Sequence, residues 1–223
     1  MQKVGGSLSK HDIVNEVFNT VGEVAKKSDF ISAGLKEQDV YTLFKQGYIE
    51  RVKHGYYKLS VGDELKEEVL LSKLMTQGIV CVESALFYYG YSDFAPREWT
   101  IAVPRSYSRT VKAMQEEVPI KAYYVQSDMY HLGETTGTFN GVTLPIYDRE
   151  RTICDCFKYR TKLDNEIFNK AINNNIEYYF ATNKSNEFLK SKKPQELVKS
   201  CIGLITESAV KGITSACLEK VMA

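Results

Sequence analysis

The sequence predicts an α+β protein: a small helical module with a hairpin, then a mixed α/β region with a helical C-terminal tail. Three observations predict it. Between Ser28 and Ser60 (SDFISAGLKEQDVYTLFKQGYIERVKHGYYKLS) there is a short helical segment, a glycine turn, a second helix and two aromatic-rich strands. From Ile79 to Tyr147, short apolar runs alternate with helical patterns, as strands and covering helices do. After Asp148 the pattern is helical throughout. Helix, turn, helix and hairpin in that order form the layout of a winged helix-turn-helix, which lays one helix in the major groove of DNA.

Met1 to Leu8 reads as a loose tail. Ser9 or Asp12 caps a first helix whose apolar stripe is Ile13, Val14, Val17, Phe18 and Val21, ended near Gly22. Glu23 to Lys27 supplies a short strand or loop. Ser28 suits the N-cap of a second helix carrying Phe30, Ile31 and Ala33, and Gly34 ends it in the left-handed conformation. Leu35 points back into the turn. The third helix runs from about Lys36 to Gln46, with Gly47 as its C-cap. Val40, Leu43 and Phe44 share its buried face. At about 100° per residue, Gln38, Thr42 and Lys45 fall on the opposite face, with Lys36 and Tyr41 at its margins. Their side chains have the reach and the donors for base edges and phosphates. Tyr48–Val52 and Tyr56–Leu59 then read as strands joined by Lys53-His54-Gly55. Arg51, Lys53 and His54 make that tip basic and suited to a phosphate backbone. The winged module spans 9–61.

Val61-Gly62-Asp63 marks the boundary to a second domain, 63–223. A helix begins near Asp63 with Leu65, Val69, Leu70 and Leu74 inward, and Gly78 stops it. Ile79–Val82 is a buried strand, and Ser84 opens a helix closed by Gly90. Glu98–Val103 is a strand stopped by Pro104. Ser108–Glu117 is a short helix or loop. Ile120–Val125 and Gly141–Tyr147 are further strands, and Asn140-Gly141 is the hairpin turn joining the latter to Thr135–Asn140. Asp148 caps a helix through Arg160 that buries Ile153, Cys154 and Phe157. Asp164 caps another with Ile167, Phe168, Ala171 and Ile172 inward. Helices near Asn186–Leu189 and Pro194–Ile205 complete the tail.

Composition bounds the function. The chain has 223 residues, 43% hydrophobic and 26% charged, with a formal net charge of +1. It is therefore no general nucleic-acid coat, and a DNA footprint must come from local placement. The first 62 residues carry nine lysines and arginines against seven acids, a weak excess. The absence of a long apolar run and of a signal peptide argues for a cytoplasmic protein with no membrane partner. Five cysteines, odd in number and without metal-ligand spacing, read as reduced thiols. No phosphate-binding glycine loop, zinc motif or nucleophile elbow is present, and no cofactor is implied. His131 reads as an ordinary loop residue rather than a catalytic base. Asp148, Glu150 and Asp155 cluster, but Arg149 and Arg151 interleave with them and Asp148 already serves as a cap. A magnesium site there is disfavoured, and no catalytic residue is assigned. Two basic sets in the second domain form a candidate positive face: Arg97, Arg105, Arg109 and Lys112, and Arg149, Arg151, Lys158, Arg160 and Lys162.

The run from Phe30-Ile31-Ser32-Ala33-Gly34 through GYIERVKHGYYKL resembles the N-terminal winged helix of the AbiEi family. VCVESALFYYG, WTIAVP and LPIYDRERTICDCFKYR are similar to that family's second domain. The likeness covers roughly residues 10 to 175, and Lys36 departs from it, standing where the family usually has a small capping residue. The resemblance implies a bacterial antitoxin of a type IV toxin–antitoxin (abortive infection) system conferring phage resistance. Its first domain would bind inverted repeats in its own promoter and repress transcription. Its second domain would counter a nucleotidyltransferase-like toxin, without needing a stable complex. The alternative is a nucleic-acid-processing enzyme with a winged-helix targeting domain. A third reading is a winged helix that binds protein rather than DNA.

Overall fold

A computed structural model describes residues 8–182 of the chain. The expected helices near Asn186–Leu189 and Pro194–Ile205 lie outside the described residues. Among the described residues the protein has mixed α+β architecture with two sheets. It divides into two compact units, Met1–Lys73 and Leu74–Ala223. The division falls later than Val61-Gly62-Asp63, one residue before the end of a helix that begins at Glu67. That helix also starts four residues after the expected Asp63.

In the first unit, α1 (Lys10–Val21), α2 (Lys27–Ser32) and α3 (Glu37–Lys45) begin by one device. An aspartate at the third helical position accepts a hydrogen bond from the amide of the residue just before the helix. Asp12 takes Ser9 N–H at 3.0 Å, Asp29 takes Lys26 N–H at 2.7 Å and Asp39 takes Lys36 N–H at 2.9 Å. Each contact satisfies a backbone donor and puts negative charge at a helix N-terminus. Only α1 adds the reciprocal contact, the Asp12 amide donating to the Ser9 hydroxyl at 3.2 Å. Ser28 is not the cap of α2: the helix starts at Lys27, one residue upstream, because Asp29 already serves Lys26.

The turn between α2 and α3 needs Gly34, which sits at φ 103°. It returns the chain so that Leu35 N–H reaches Phe30 O at 3.0 Å and the Leu35 side chain is buried. After α3, β2 (Ile49–Lys53) and β3 (Tyr56–Leu59) form an antiparallel hairpin. The strand β1 (Ala25–Lys26) pairs on the far edge of β3, giving sheet order β1-β3-β2. A register shift between Arg51 and Lys53 leaves Val52 as a bulge, which increases local twist near the hairpin tip. Phe30 is fully buried at the centre of this unit, 5.6 Å from the Phe18 ring and 6.1 Å from Tyr57, with Val14, Val40, Leu43 and Ile49 around it.

The helix α4 (Glu67–Leu74) carries the chain into the second unit. There five strands form a mixed sheet: β4 (Ile79–Val80), β5 (Trp99–Pro104), β6 (Ile120–Val125), β7 (Glu134–Phe139) and β8 (Val142–Tyr147), in order β6-β5-β4-β8-β7. The pairs β5–β6 and β4–β8 are parallel; β4–β5 and β7–β8 are antiparallel. Both faces of the short central strand are buried, Ile79 at 2% and Val80 at 1% exposure. The helices α5 (Val82–Tyr88), α8 (Arg149–Lys158) and α9 (Asn165–Thr182) contribute Leu86, Ile153, Cys156 and Ala171 to a core shared with Ile79, Ala102, Tyr123 and Tyr147. Among the described residues the remaining α-helices are α6 (Ser108–Met114) and α7 (Ser127–Tyr130), the latter a single turn that carries no helical signal in the sequence.

Two expectations change here. The strand read over Ile79–Val82 stops at Val80, and the following helix starts at Val82, not at Ser84. Thr100 on β5 explains both. Its N–H donates to Ser84 Oγ at 2.9 Å and its hydroxyl to Cys81 O, while Ser84 N–H donates to its hydroxyl at 2.8 Å. Ser84 is thus spent on a cross-link to the sheet. The link folds the chain sharply at Val82, a β-branched residue held at φ 40°, a strained conformation for it. The Asn140-Gly141 turn has φ 48° and 87°, positive at both central positions as a two-residue hairpin requires. In α8 the buried residues are Arg151, Thr152, Ile153, Asp155 and Cys156, while Cys154 and Phe157 are half-buried.

Candidate nucleic-acid interface

The first unit holds α3 by its apolar edge. Val40 and Leu43 are buried, and Lys10 Nζ clamps the Asp39 carboxylate at 2.6 Å, tying the start of α3 to α1. The Lys10 contact, then the Lys36 amide, hold the Asp39 carboxyl below its ordinary range. With that edge fixed, Lys36, Gln38, Tyr41, Thr42 and Lys45 are all exposed; Tyr41 retains 54% of its surface.

Their local contacts leave most of their polar capacity outward. The Thr42 hydroxyl donates back to Gln38 O at 2.7 Å, one turn earlier. Lys45 Nζ lies 5.6 Å from the centre of the Tyr41 ring, a cation–π contact that holds both side chains on one side of the helix. Beside the helix, the hairpin presents Arg51 and His54 exposed and Lys53 half-buried. Among the described residues, no carboxylate lies within ion-pairing distance of Lys45, Arg51 or Lys53, whereas Lys27 and Lys58 are paired with Glu37 and Glu50. Gly55 at φ 82° closes the tip, and its carbonyl accepts from Lys27 N–H at 2.8 Å, fastening the hairpin to the start of α2. The eight residues singled out by sequence therefore lie on two adjacent elements of one unit.

The basic sets of the second unit fare differently. Arg105, Arg109 and Lys112 are exposed and spaced by four and three along one continuous helical stretch, so they share a side. Arg97 precedes β5 and Arg105 follows it. Six strand residues separate them by about 20 Å, so Arg97 does not join that set. Arg151 is a correction: it is 3% exposed, not on a face. Its Nε donates to Asp155 at 3.1 Å, and one terminal nitrogen donates to the Met129 and Leu132 carbonyls at 2.9 and 3.1 Å. Arg149 is half-buried, its guanidinium 4.6 Å from the Tyr89 ring centre, 5.3 Å from Tyr91 and 4.4 Å from Tyr178. Neither belongs to a solvent-facing positive surface.

Lys158 and Arg160 remain exposed, and the fold gives them neighbours from elsewhere. Lys162 Nζ lies 5.9 Å from the Tyr123 ring centre and 5.6 Å from Tyr159; Lys121 lies 5.5 Å from Tyr123. Lys121 also pairs with Glu83 at 2.7 Å. Burial pushes the Tyr159 hydroxyl up to about 12, so the ring stays neutral beneath these cations. Lys121 was missed in sequence because it sits on a strand distant from the others along the chain.

Asp148 accepts from Arg151 N–H at 2.7 Å as the cap of α8, and Asp155 is committed to Arg151. Among the described residues, no group of three or more His, Cys, Asp or Glu side chains is placed to hold a metal ion. No helix among them is long and apolar enough to cross a membrane. No family model matches the chain, and no curated protein does.

Proposed function

We propose that this chain is a DNA-binding transcriptional regulator whose first unit is a winged helix-turn-helix, and that it acts as the antitoxin and autorepressor of a toxin–antitoxin pair. One observation carries the DNA-binding reading. The outward side of α3 is a row of polar and cationic side chains, flanked by a hairpin whose Arg51 and Lys53 have no acidic partner among the described residues. Helix α3 is the recognition helix. Gln38, Thr42 and Lys45 face base edges, with Lys36 and Tyr41 at the rim, and Arg51, Lys53 and His54 hold the backbone. The order α1-β1-α2-α3-β2-β3 and the sheet order β1-β3-β2 suit this module.

The antitoxin part rests on the resemblance of the wing and of the Glu83–Leu86 segment to the AbiEi family. In this reading the chain is cytoplasmic, has no enzymatic role, binds inverted repeats in its own promoter and opposes a nucleotidyltransferase-like toxin. The deciding experiment is a gel-shift titration of the chain on a duplex spanning its own promoter, at several salt concentrations. Binding weakens steeply with salt, because phosphate contacts release counterions. Lys53→Ala weakens binding to all sequences alike, and Gln38→Ala weakens the promoter selectively. Affinity independent of salt, or both variants binding like the parent chain, overturns the reading.

A further inference from the structure

In the second unit, β5 and β6 run parallel and end together, β5 at Pro104 and β6 at Val125. A cleft of about 340 Å³ opens there, lined by Ser106 and Ser127, each two residues beyond its strand, and by Thr76 of the loop before β4. Its size lies within the range of small-molecule sites, and the carboxyl ends of parallel strands are where open sheets bind ligands. The cleft owes nothing to α3 or the hairpin.

Hydrogen bonds tie down the wall that carries buried Tyr130. The Tyr130 hydroxyl donates to the Gln77 carbonyl, and Tyr147 donates to the Tyr130 carbonyl at 2.7 Å. Glu134 and His131 form a pair at 2.6 Å between Oε2 and Nδ1, which sets the carboxylate and the imidazole relative to one another. That pair leaves a second carboxylate oxygen and Nε2 as hydrogen-bonding capacity. The rest of the polar lining is Gln77 and the hydroxyls of Thr76, Ser106, Ser127 and Tyr130; the hydroxyls can both donate and accept. Ile79, Pro104 and Pro145 supply an apolar side.

We infer that this cleft binds a neutral small molecule carrying a vicinal diol, with Glu134 accepting from the two hydroxyls. A carboxylate beside small hydroxyl side chains recognises adjacent sugar hydroxyls, as the acidic residue of dinucleotide sites does with ribose. No lysine or arginine lines the cleft, and its formal negative charge is Glu134, so a phosphate group is repelled rather than held. The apolar side suits the C–H face of a sugar ring. A free sugar and the ribose of a nucleoside share this chemistry.

The test is calorimetry and saturation-transfer NMR on the full chain, with ribose, glucose, adenosine, uridine, the two 2′-deoxynucleosides and adenosine monophosphate as probes. At least one diol-bearing neutral probe binds saturably. For a nucleoside, the 2′-deoxy form and the monophosphate bind at least about tenfold more weakly, because the Glu134 carboxylate loses a hydroxyl donor or meets added charge repulsion. Ribose or glucose binding as well as the nucleosides identifies a free sugar as the ligand; binding by nucleosides alone identifies a nucleoside. Glu134→Gln weakens binding about tenfold or more, and Ser127→Leu, which fills the cleft, abolishes it; Thr76→Leu serves if Ser127→Leu lowers the melting temperature. No saturable binding by any probe overturns the inference. So does binding that survives both Glu134→Gln and the filling variant, or equal binding of ribo- and deoxynucleosides. Promoter binding by the same protein sample is measured in parallel, so failure of the DNA reading and failure of this one are told apart.

Discussion

At the scale of single residues, the second unit turns on a buried ion pair whose arginine the sequence assigns to a positive face. Arg151 and Asp155 are each 3% exposed and 3.1 Å apart. Burial pushes the Asp155 carboxyl up despite the guanidinium beside it. Removing one partner leaves a buried charge, which costs more than removing both. Arg151→Met is therefore expected to destabilise the chain by about 3–5 kcal/mol, and Arg151→Met with Asp155→Leu by clearly less, in urea unfolding. A single variant as stable as the parent rejects this account. Asp39 and Asp12 of the first unit act in the opposite direction. The contact with Lys10, then the Lys36 amide, depress the Asp39 carboxyl, and the Ser9 hydroxyl and amide depress Asp12. Their folded values lie below the unfolded ones, so between the two the unfolded chain binds more protons. The stability they contribute is present above the ordinary aspartate value of 3.8 and is lost as pH falls through the depressed values. Melting temperature should fall over that acid window, and Asp39→Asn, which cannot titrate, should flatten the fall. Parallel curves for the two proteins would refute the assignment.

At the scale of elements, the proposed interface depends on the hairpin keeping its tip. Gly55 holds φ 82°, and a β-branched residue there is strained although nothing blocks its Cβ. Gly55→Val should destabilise the first unit by about 1 kcal/mol or more and weaken promoter binding through misplacement of Arg51 and Lys53. Phe30→Ala, which empties the centre of that unit, should cost about 3–5 kcal/mol in thermal or urea unfolding. Elements whose signals are local were legible in the sequence: the stripe and Ser9 cap of α1, the buried face of α3, the Asn140-Gly141 hairpin and the Asp148 cap. What was not legible depends on partners far along the chain. Ser84 looks like a helix cap until Thr100 takes its hydroxyl across 16 residues. The cap of α2 was misread for a different reason: an aspartate at the third helical position can serve a lysine amide as well as a serine one. The buried Arg151–Asp155 pair did leave a mark, since the two residues are four apart on one helix. The inward side of α8, with Ile153 and Cys156 beside them, was the context that gave that spacing its meaning.

At the scale of the whole molecule, the two units make separable claims. The polar strip of α3 and the hairpin tip belong wholly to Met1–Lys73, and the cations around Tyr123 and Tyr159 wholly to Leu74–Ala223. Sequence alone grouped the second unit's basic residues by nearness along the chain. The fold regroups them, turning Arg149 and Arg151 inward and bringing Lys121 to the rings that Lys162 overlies. If DNA recognition resides in the first unit, residues 63–223 expressed alone should lose promoter binding in the gel-shift assay. If neutralisation resides in the second, the first unit alone should fail to restore growth to cells expressing the toxin. The two assays fail in different ways: promoter binding by 63–223 would move recognition to the second unit's cations, and rescue by the first unit alone would reject the division of labour. Co-expression of the two pieces separates physical coupling from mere coexistence. Rescue by the pair equal to that of the intact chain means that neutralisation needs no covalent link to the first unit. Rescue by the intact chain alone means that the link itself is part of the proposed antitoxin action.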